Sequence, residues 1–428
     1  MKIKGKKIGI TIAAAALAGT FLFGCQTAGG TSEGTTAQST TAETTTAAAT
    51  TAATTTAATT AAETTTAKSA GGVGVETKAD GTKVVTDVMG RQVEFKDDVK
   101  SIIAIPWPWS SFIFAITGST DKIATMSSTA LASYKNCMFQ VLAPGLADSD
   151  TGFIEDKNKD GGSFGTMNVE EMMKINPDMV IIYKRDAETM LPILESAGIK
   201  TVVFDYGDLQ EVQDGMKILG GLLGGKSEKN AETMIKWHED SAKEMDSLFG
   251  SLSDDEKPTV LHLYDENLKV VTNNFNTNMI VRAGGKNVAT EDGSDQTNSA
   301  NDSVNFEQIL AWDPDVIVLG NFSKITPEQI YNNELAGQDW SQLKAVQNKR
   351  VYKVPMGLYR WDAPNTEAHL FMEWFAKMLH PDKAAGIDLE ADTKEYYKTL
   401  FDHDVTDDEM KMIYHADLNA NSEEIKLN

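Results

Sequence analysis

The stretch MNVEEMMKINPDMVII at residues 167–182 is repeated, without gaps, as VNFEQILAWDPDVIVL at residues 304–319. In each copy an asparagine is followed three residues later by Glu or Gln, the pattern of a helix N-terminus with a capping box. A short amphipathic helix should follow and should end at Pro177 or Pro314. Beyond each proline lies an unbroken apolar run, typical of a parallel strand that is covered on both faces. The repeat therefore predicts two similar α/β halves.

The sequence around the two copies extends this pattern. Strand-like apolar runs lie at 84–88, 102–105, 122–126 and 200–204 in the first half, and at 259–263, 269–272 and 351–354 in the second. Helical patterns separate most of them, as in βαβ units. Between the halves, residues 227–249 contain no Gly or Pro and carry apolar residues at three- and four-residue spacing. We predict one long helix there, on the order of 35 Å in length, joining two parallel-sheet lobes.

The first 70 residues indicate export and tethering rather than a folded domain. Basic residues precede the short apolar run Ile8–Phe23, as in a secretory signal peptide. The run ends in LFGC, which resembles the lipobox of bacterial lipoproteins and implies that Cys25 is lipidated and becomes the N-terminus. Two or more acyl chains would anchor the protein stably. Residues 26–70 contain 19 Thr and 14 Ala but no Val, Ile, Leu, Met or aromatic residue, so they cannot bury a core.

These boundaries predict five parts and a location. The parts are a signal peptide at 1–24, a Thr/Ala-rich disordered tether at 25–80, an N-terminal lobe at 81–225, a linking helix at 226–253 and a C-terminal lobe with a helical tail at 254–428. We expect the protein to stand outside the cytoplasm, held on the outer face of the cell membrane by the lipid on Cys25.

Charge and cysteine content exclude several classes of partner. The chain has 39 basic and 62 acidic residues and a net charge of −23, which argues against binding nucleic acid and against broad contact with an anionic membrane. It has two cysteines. If Cys25 carries lipid, Cys137 has no partner for a disulfide within a monomer, and we expect it to be a small buried hydrophobic residue.

The chain resembles the class III periplasmic-binding proteins, which deliver ferric siderophores, haem or cobalamin to ABC importers. The stretches that carry the resemblance are TDVMGRQVEF at 86–95, the first repeat at 167–183, AGGKNV at 283–288, the second repeat at 304–318 and VYKVPMGLYRWDAP at 351–364. The resemblance implies two α/β lobes joined by one long helix, with the ligand in the cleft between them. It also implies a monomer that delivers its ligand to a permease dimer and its ATPase.

Loops that follow the predicted strands supply candidate ligand-binding residues, because ligands of open parallel sheets bind beyond the carboxyl ends of the strands. Aromatic side chains there can form flat walls for a macrocycle or a catecholate ring, and one arginine from each lobe can hold a carboxylate or an anionic iron chelate. Packing on their own lobe, or a surface salt bridge, is the alternative role. The candidates are Trp107, Trp109, Tyr183, Arg185, Tyr264, Asn274, Tyr359, Arg360 and Trp361.

Glu170 and Glu307 occupy the same position in the two repeats. In the resembled family an acidic residue on each lobe docks on arginines of the permease dimer, so the resemblance implies this role for both. The alternative is a purely local role, since a carboxylate in the first turn of a helix is favoured by the helix dipole.

The sequence predicts no metal ligated by protein side chains, no cofactor, no catalytic residue and no enzymatic function. The six histidines show no ligand spacing, and GxSxG, Walker and CxxC motifs are absent. We predict His238 and His262 to be packed residues. The ligand itself stays open between a ferric siderophore or similar iron complex, a corrinoid or haem, and an oxyanion. A surface sensor that does not transport is a further alternative.

Overall fold

The computed structural model describes residues 72–126, 128–146, 168–272, 275–290 and 301–428. The predicted signal peptide, nearly all of the tether, Cys25 and Asn274 lie outside these residues. The elements of the first half are β1 (Gly74–Thr77), β2 (Lys83–Thr86), β3 (Gln92–Phe95), β4 (Ile102–Ala104), α1 (Pro108–Thr117), β5 (Ile123–Thr125), α2 (Ser128–Ser133), α3 (Met138–Leu142), α4 (Val169–Ile175), β6 (Met179–Tyr183), α5 (Ala187–Ser196), β7 (Thr201–Phe204), α6 (Leu209–Leu223) and α7 (Lys226–Phe249).

The elements of the second half continue the alternation of strands and helices. They are β8 (Thr259–Leu263), β9 (Lys269–Val271), α8 (Phe275–Arg282), β10 (Lys286–Asn287), β11 (Asn301–Ser303), α9 (Phe306–Trp312), β12 (Val316–Leu319), α10 (Pro327–Tyr331), α11 (Lys344–Gln347), β13 (Val351–Lys353), α12 (Ala368–Leu379), α13 (Leu389–Phe401) and α14 (Asp407–Ile413).

Each half contains a sheet with a parallel core. In the first half the strand order is β5-β4-β6-β7, and all neighbours are parallel. In the second half β10 and β12 flank β8, and β13 extends the sheet beyond β12, again in parallel. The apolar runs β6 and β12 are buried along their whole length, as expected for strands covered on both faces. The predicted fold class is confirmed.

Two predicted strands differ from a purely parallel arrangement. The run at 84–88 becomes β2, which pairs antiparallel with β1 and β3 in a separate sheet, because the chain turns back at Gly90 (φ 74°). The run at 269–272 becomes β9, antiparallel to β8. The connection between β8 and β9 is five residues long by their bounds, too short for the crossover that parallel neighbours require.

In both copies the repeated stretch forms the predicted helix and strand, and the asparagine side chain forms its half of the predicted capping box. The Asn168 side chain accepts a hydrogen bond from the Glu171 N–H at 3.0 Å, and Asn305 accepts one from the Gln308 N–H at 2.8 Å. The two helices end at residues in the left-handed conformation, Asn176 and Asp313. Each parallel strand, β6 or β12, then starts two residues after the proline. The carboxyl ends of these two strands therefore lie at the equivalent edges of the two sheets.

The long helix α7 runs for 24 residues and packs against elements of both halves, including α1 and α6 on one side and α12 and α8 on the other. His238 is fully buried on its apolar face, and its Nε2 lies 3.0 Å from the Thr366 carbonyl oxygen. Cys137 and His262 are also fully buried, as predicted. Within the described ranges, no helix is both long enough and apolar enough to cross a bilayer.

Candidate ligand-binding cleft

Residues from both lobes meet where the parallel strands end. Tyr183 is the last residue of β6, and Tyr206 follows β7 by two residues. From the second lobe, Tyr264 directly follows β8, and the loop after β13 carries Tyr359 and Arg360. The carboxyl ends of parallel strands share one edge of a sheet, so the βαβ pattern brings side chains that are distant in sequence into one place.

The two lobes touch at this edge through the segment that follows α2. The rings of Tyr134 and Tyr359 have their centroids 5.5 Å apart. The Met138 N–H donates to the Gly357 carbonyl at 2.9 Å, and the Tyr134 hydroxyl donates to the Trp107 carbonyl at 2.6 Å. These contacts fix the loop that carries Tyr359 against the first lobe.

Two tyrosines of the first lobe face this loop. The ring centroids of Tyr183 and Tyr206 are 5.5 Å apart. Burial raises the pKa of both hydroxyls well above the usual range, and Tyr359 of the second lobe adds to each shift. The Tyr206 hydroxyl is buried and has no hydrogen-bond partner among the described residues. It is therefore a neutral donor that is unused within the described protein.

Arg360 is the cation at the centre of the cleft. Its residue is 9% exposed, and its guanidinium carbon lies 4.0 Å from the ring centroid of Phe322 and 5.7 Å from that of Tyr264. Nη2 donates to the Asp362 carbonyl at 3.3 Å. Nε and Nη1 form no hydrogen bond with any described residue. The N–H groups of a buried guanidinium normally all form hydrogen bonds. The two unused donors of Arg360 are therefore suited to binding an anionic ligand.

Asp362 favours the charged form of Arg360. Burial by itself would lower the pKa of Arg360, but the nearby Asp362 raises it above the usual range. Asp362 Oδ1 lies 3.6 Å from Arg360 Nε. The same carboxylate accepts hydrogen bonds from the Asn321 backbone at 2.8 Å and the Asn321 side chain at 3.0 Å. Asp362 is thus anchored on the loop after β12 and can orient the guanidinium.

A buried lysine, Lys353, also bonds to the loop after β12 that anchors Asp362. Lys353 Nζ donates to the carbonyls of Gly320 and Ser323 at 2.7 and 2.6 Å, and burial lowers its pKa to about 8. These bonds tie β13 to the loop after β12. Both ring nitrogens of the fully buried His262 lack hydrogen-bond partners among the described residues, and burial lowers its pKa to about 4.

The structure brings five of the predicted residues together and separates two. Tyr183, Arg185, Tyr264, Tyr359 and Arg360 lie at the edge just described, and Arg185 is exposed with its guanidinium 4.7 Å from the Tyr183 ring. Trp107 is half-buried beside Tyr134.

Trp109 and Trp361 have no exposed surface. Trp109 packs in the first lobe with ring centroids 4.4 Å from those of Phe112 and Phe204. Trp361 packs edge-on to Tyr414, at 5.6 Å between centroids. Both rings therefore belong to the core in this conformation and offer no wall to a ligand.

Three further residues belong to the cleft although sequence reasoning did not select them: Tyr134, Tyr206 and Phe322. Tyr206 and Phe322 follow the ends of β7 and β12, so the rule that selected Tyr264 could have found them as well. Tyr134 comes directly after α2, eight residues past the end of the predicted strand at 122–126, and only the contact with Tyr359 identifies it.

The two predicted docking residues lie outside the cleft. Glu170 and Glu307 are exposed in the first turns of α4 and α9. Neither carboxylate forms an ion pair with another described residue, so both charges are available to a partner. The described part of the chain contains no group of three or more His, Cys, Asp or Glu side chains arranged to hold a metal ion.

Comparison with known proteins gives the same architecture. The sequence model of the family described as "Periplasmic binding protein" matches residues 132–356. A crystal structure of a periplasmic solute binding protein from Veillonella parvula is 38% identical, covers 79% of this chain and 98% of its own, and superposes with a TM-score of 0.70.

Two curated proteins are more distant relatives. The molybdate-binding protein MolA of Haemophilus influenzae is 21% identical over 338 residues, which are 74% of this chain and 91% of MolA. The putative ABC transporter substrate-binding lipoprotein YhfQ of Bacillus subtilis is 24% identical over 214 residues, 46% of this chain and 62% of YhfQ.

Proposed function

Because the chain belongs to the periplasmic binding protein family, we propose that its cleft captures a ferric siderophore or a similar anionic iron complex for an ABC importer. The proteins it resembles are solute-binding components of transporters rather than enzymes, so we assign it no catalytic step. Reversible capture between the lobes requires a ligand whose chemistry matches the groups that the cleft leaves unused.

One observation carries the proposal: Nε and Nη1 of the buried cation Arg360 form no hydrogen bond with any described residue, in a cleft lined by tyrosine hydroxyls from both lobes. Such donors favour a ligand rich in accepting oxygens. Charge-assisted hydrogen bonds are about twice as strong as neutral ones, and a guanidinium binds a carboxylate or a catecholate oxygen well. Arg185 of the first lobe supplies a second positive charge at the rim.

The aromatic rings determine how large the ligand can be. Tyr183, Tyr206, Tyr264 and Phe322 surround Arg360 and could stack against the organic part of an iron chelate. A corrinoid or a haem, the alternative ligand that a larger set of aromatic walls would suit, has less support because Trp109 and Trp361 lie in the core.

An oxyanion is the second candidate. The relative MolA is named a molybdate-binding protein and spans most of this chain. A buried arginine and a neutral tyrosine hydroxyl are also suitable donors for a small tetrahedral anion. The excess of aromatic rings over what such an anion needs makes the iron complex the first choice.

Titration calorimetry of the purified full chain tests these assignments. The panel consists of ferric citrate, a ferric catecholate siderophore, haemin, cyanocobalamin and molybdate. Saturable submicromolar binding of a ferric chelate is the expected result. Molybdate binding without chelate binding would transfer the assignment to the oxyanion, and no binding of any member would remove support for both.

Delivery to the permease rests on the two exposed glutamates. Glu170 and Glu307 occupy equivalent positions in the two repeats, so the lobes present them as a pseudo-symmetric pair. A permease made of two similar subunits can meet such a pair with one arginine pocket on each. The carboxylates then act as docking residues, in addition to any effect they have on their own helices.

We also propose that lipidated Cys25 holds the protein on the outer face of the membrane. The relative YhfQ is named a lipoprotein, and LFGC precedes a segment that cannot form a core. Labelling cells with an alkyne fatty acid should mark the full chain and not the Cys25→Ser variant, which should appear in the soluble fraction. Equal labelling of both would refute lipidation at this cysteine.

A further inference from the structure

A second cavity lies away from the cleft, where α7 packs against α12 and α13. Its volume is about 190 Å³. Of the side chains that line it, five are carboxylates and none is Lys or Arg. The five are Asp240 and Glu244 of α7, Glu373 of α12, and Asp392 and Glu395 of α13. We call it the acidic cavity.

Two of its lining residues are buried and have polar atoms without partners. Glu373 is 5% exposed, and its Oε2 forms no hydrogen bond with any described residue. His369, one helical turn earlier on α12, is 4% exposed, and its Nδ1 also has no described partner. A buried polar atom without a partner is costly, so these two atoms indicate that the cavity is built for a ligand that forms hydrogen bonds.

The negative charge in the cavity is only partly compensated. Asp240 pairs with Lys236 and lies 3.5 Å from Lys243 on the outer face of α7. The other four carboxylates form no ion pair with described residues. Lys377, one turn beyond Glu373, donates instead to the carbonyls of Ile387 and Asn428. The cavity therefore retains an excess of acceptors and of negative charge.

The same arrangement perturbs the carboxyl groups themselves. Burial, with smaller contributions from Asp392 and Glu244, raises the pKa of Glu373 well above its usual range. Burial also raises the pKa of Asp392 and lowers that of His369. The histidine is therefore neutral at neutral pH, and a cation bound beside Glu373 would favour the ionised form of its carboxyl.

We propose that the acidic cavity binds a small organic diamine, whose ammonium groups donate to Glu373, to the other carboxylates and to His369. A bare metal ion fits less well, because the described side chains include no group of three that converges on one point. The cavity is also too large for an ion, since a water molecule occupies about 30 Å³ of liquid. Trp237 adds an aromatic wall that favours an alkylammonium.

Calorimetry with putrescine tests this proposal on the purified full chain at physiological salt. We expect saturable binding, and we expect binding to release protons, because a cation beside Glu373 lowers the pKa of its carboxyl; the release is measured by repeating the titration in buffers of different ionisation enthalpy. Glu373→Gln should weaken binding at least about tenfold and abolish the proton release. Glu244→Gln, an exposed change that leaves the buried face intact, should weaken binding less. The matched control is Glu232→Gln, an exposed carboxylate on the same helix but outside the cavity, which should change nothing.

Three results would overturn the proposal. The first is the absence of saturable putrescine binding at millimolar concentration. The second is tighter binding of Mg²⁺ or Ca²⁺ than of putrescine with the same dependence on Glu373, which would make the cavity a metal site. The third is an equal loss in Glu232→Gln and Glu373→Gln, which would reduce the effect to the acidic surface as a whole. None of these results bears on the ligand of the cleft.

Discussion

Replacing Arg360 by glutamine should abolish high-affinity capture of an anionic ligand while leaving the fold in place. Two donor nitrogens of the guanidinium form no hydrogen bond within the part of the chain that the structure describes, and each hydrogen bond to a charged group contributes about 1.5–3 kcal/mol. Glutamine retains one neutral donor group at most. The net loss of about 3 kcal/mol corresponds to a roughly 150-fold increase in Kd.

The folded state should survive this change because the carboxylate that pairs with Arg360 keeps other partners. Asp362 still accepts two hydrogen bonds from Asn321. Circular dichroism should confirm the fold before calorimetry with the tightest ligand of the panel. The control is Arg282→Gln, at a half-buried arginine whose Nη1 lies 3.6 Å from Asp246 Oδ1, outside the cleft. A folded Arg360→Gln protein that binds within threefold of the unmodified chain would refute the role of Arg360.

Three further changes test other parts of the structure. Gly215→Ala should lower the free energy of unfolding by about 1–2 kcal/mol, measured by urea denaturation, because the new Cβ would lie 2.0 Å from the buried Trp109 ring. Glu367→Gln should flatten the fall in stability that we expect of the unmodified chain between about pH 4.5 and pH 7. Burial raises the pKa of Glu367 from 4.5 to about 7, so over this range the unfolded chain releases the proton while the folded chain keeps it, and the fold loses on the order of 2–3 kcal/mol of stability. Reversing both charges, Glu170→Lys with Glu307→Lys, should stop ligand uptake by cells and leave the Kd of the purified chain unchanged.

Two of these changes have a matched control variant, and the third is compared with the unmodified chain. Gly386→Ala adds a Cβ where no atom lies within 4 Å, and equal destabilisation by both alanines would contradict the packing argument. For Glu367, identical pH profiles of the variant and the unmodified chain would show that folding does not raise the pKa of this carboxyl. For docking, Glu188→Lys places the same charge on an exposed position of α5. Uptake lost equally in that variant would assign the defect to surface charge in general.

The fold was largely predictable because it rests on local patterns that occur twice. The two asparagine caps, the prolines and the apolar strands are contiguous in sequence, and the structure reproduces them in both lobes. The long helix was predictable from the absence of Gly and Pro. The antiparallel strand β9 was not, since pairing direction depends on a five-residue turn rather than on the composition of the strand.

The site was less predictable because side-chain direction depends on where the helix after a strand begins. Trp107 and Trp109 were both expected in a loop, but α1 begins at Pro108. Residues two apart on a helix point in nearly opposite directions, so Trp107 remains at the edge while Trp109 enters the core. Successive residues also diverge after β13, where Arg360 faces Phe322 and Trp361 faces Tyr414. The loops of the site could be predicted from their positions after the strands. Which side chains of those loops reach the cleft depends on packing, which the sequence does not show directly.

The most direct test of the central claim is a crystal structure of the chain with a ferric chelate, with data recorded at the iron absorption edge. We expect an anomalous peak between the two lobes, with oxygens of the chelate within hydrogen-bond distance of Arg360 and the Tyr206 hydroxyl. A peak elsewhere on the protein, or chelate density that leaves Arg360 and Tyr206 without contact, would contradict it.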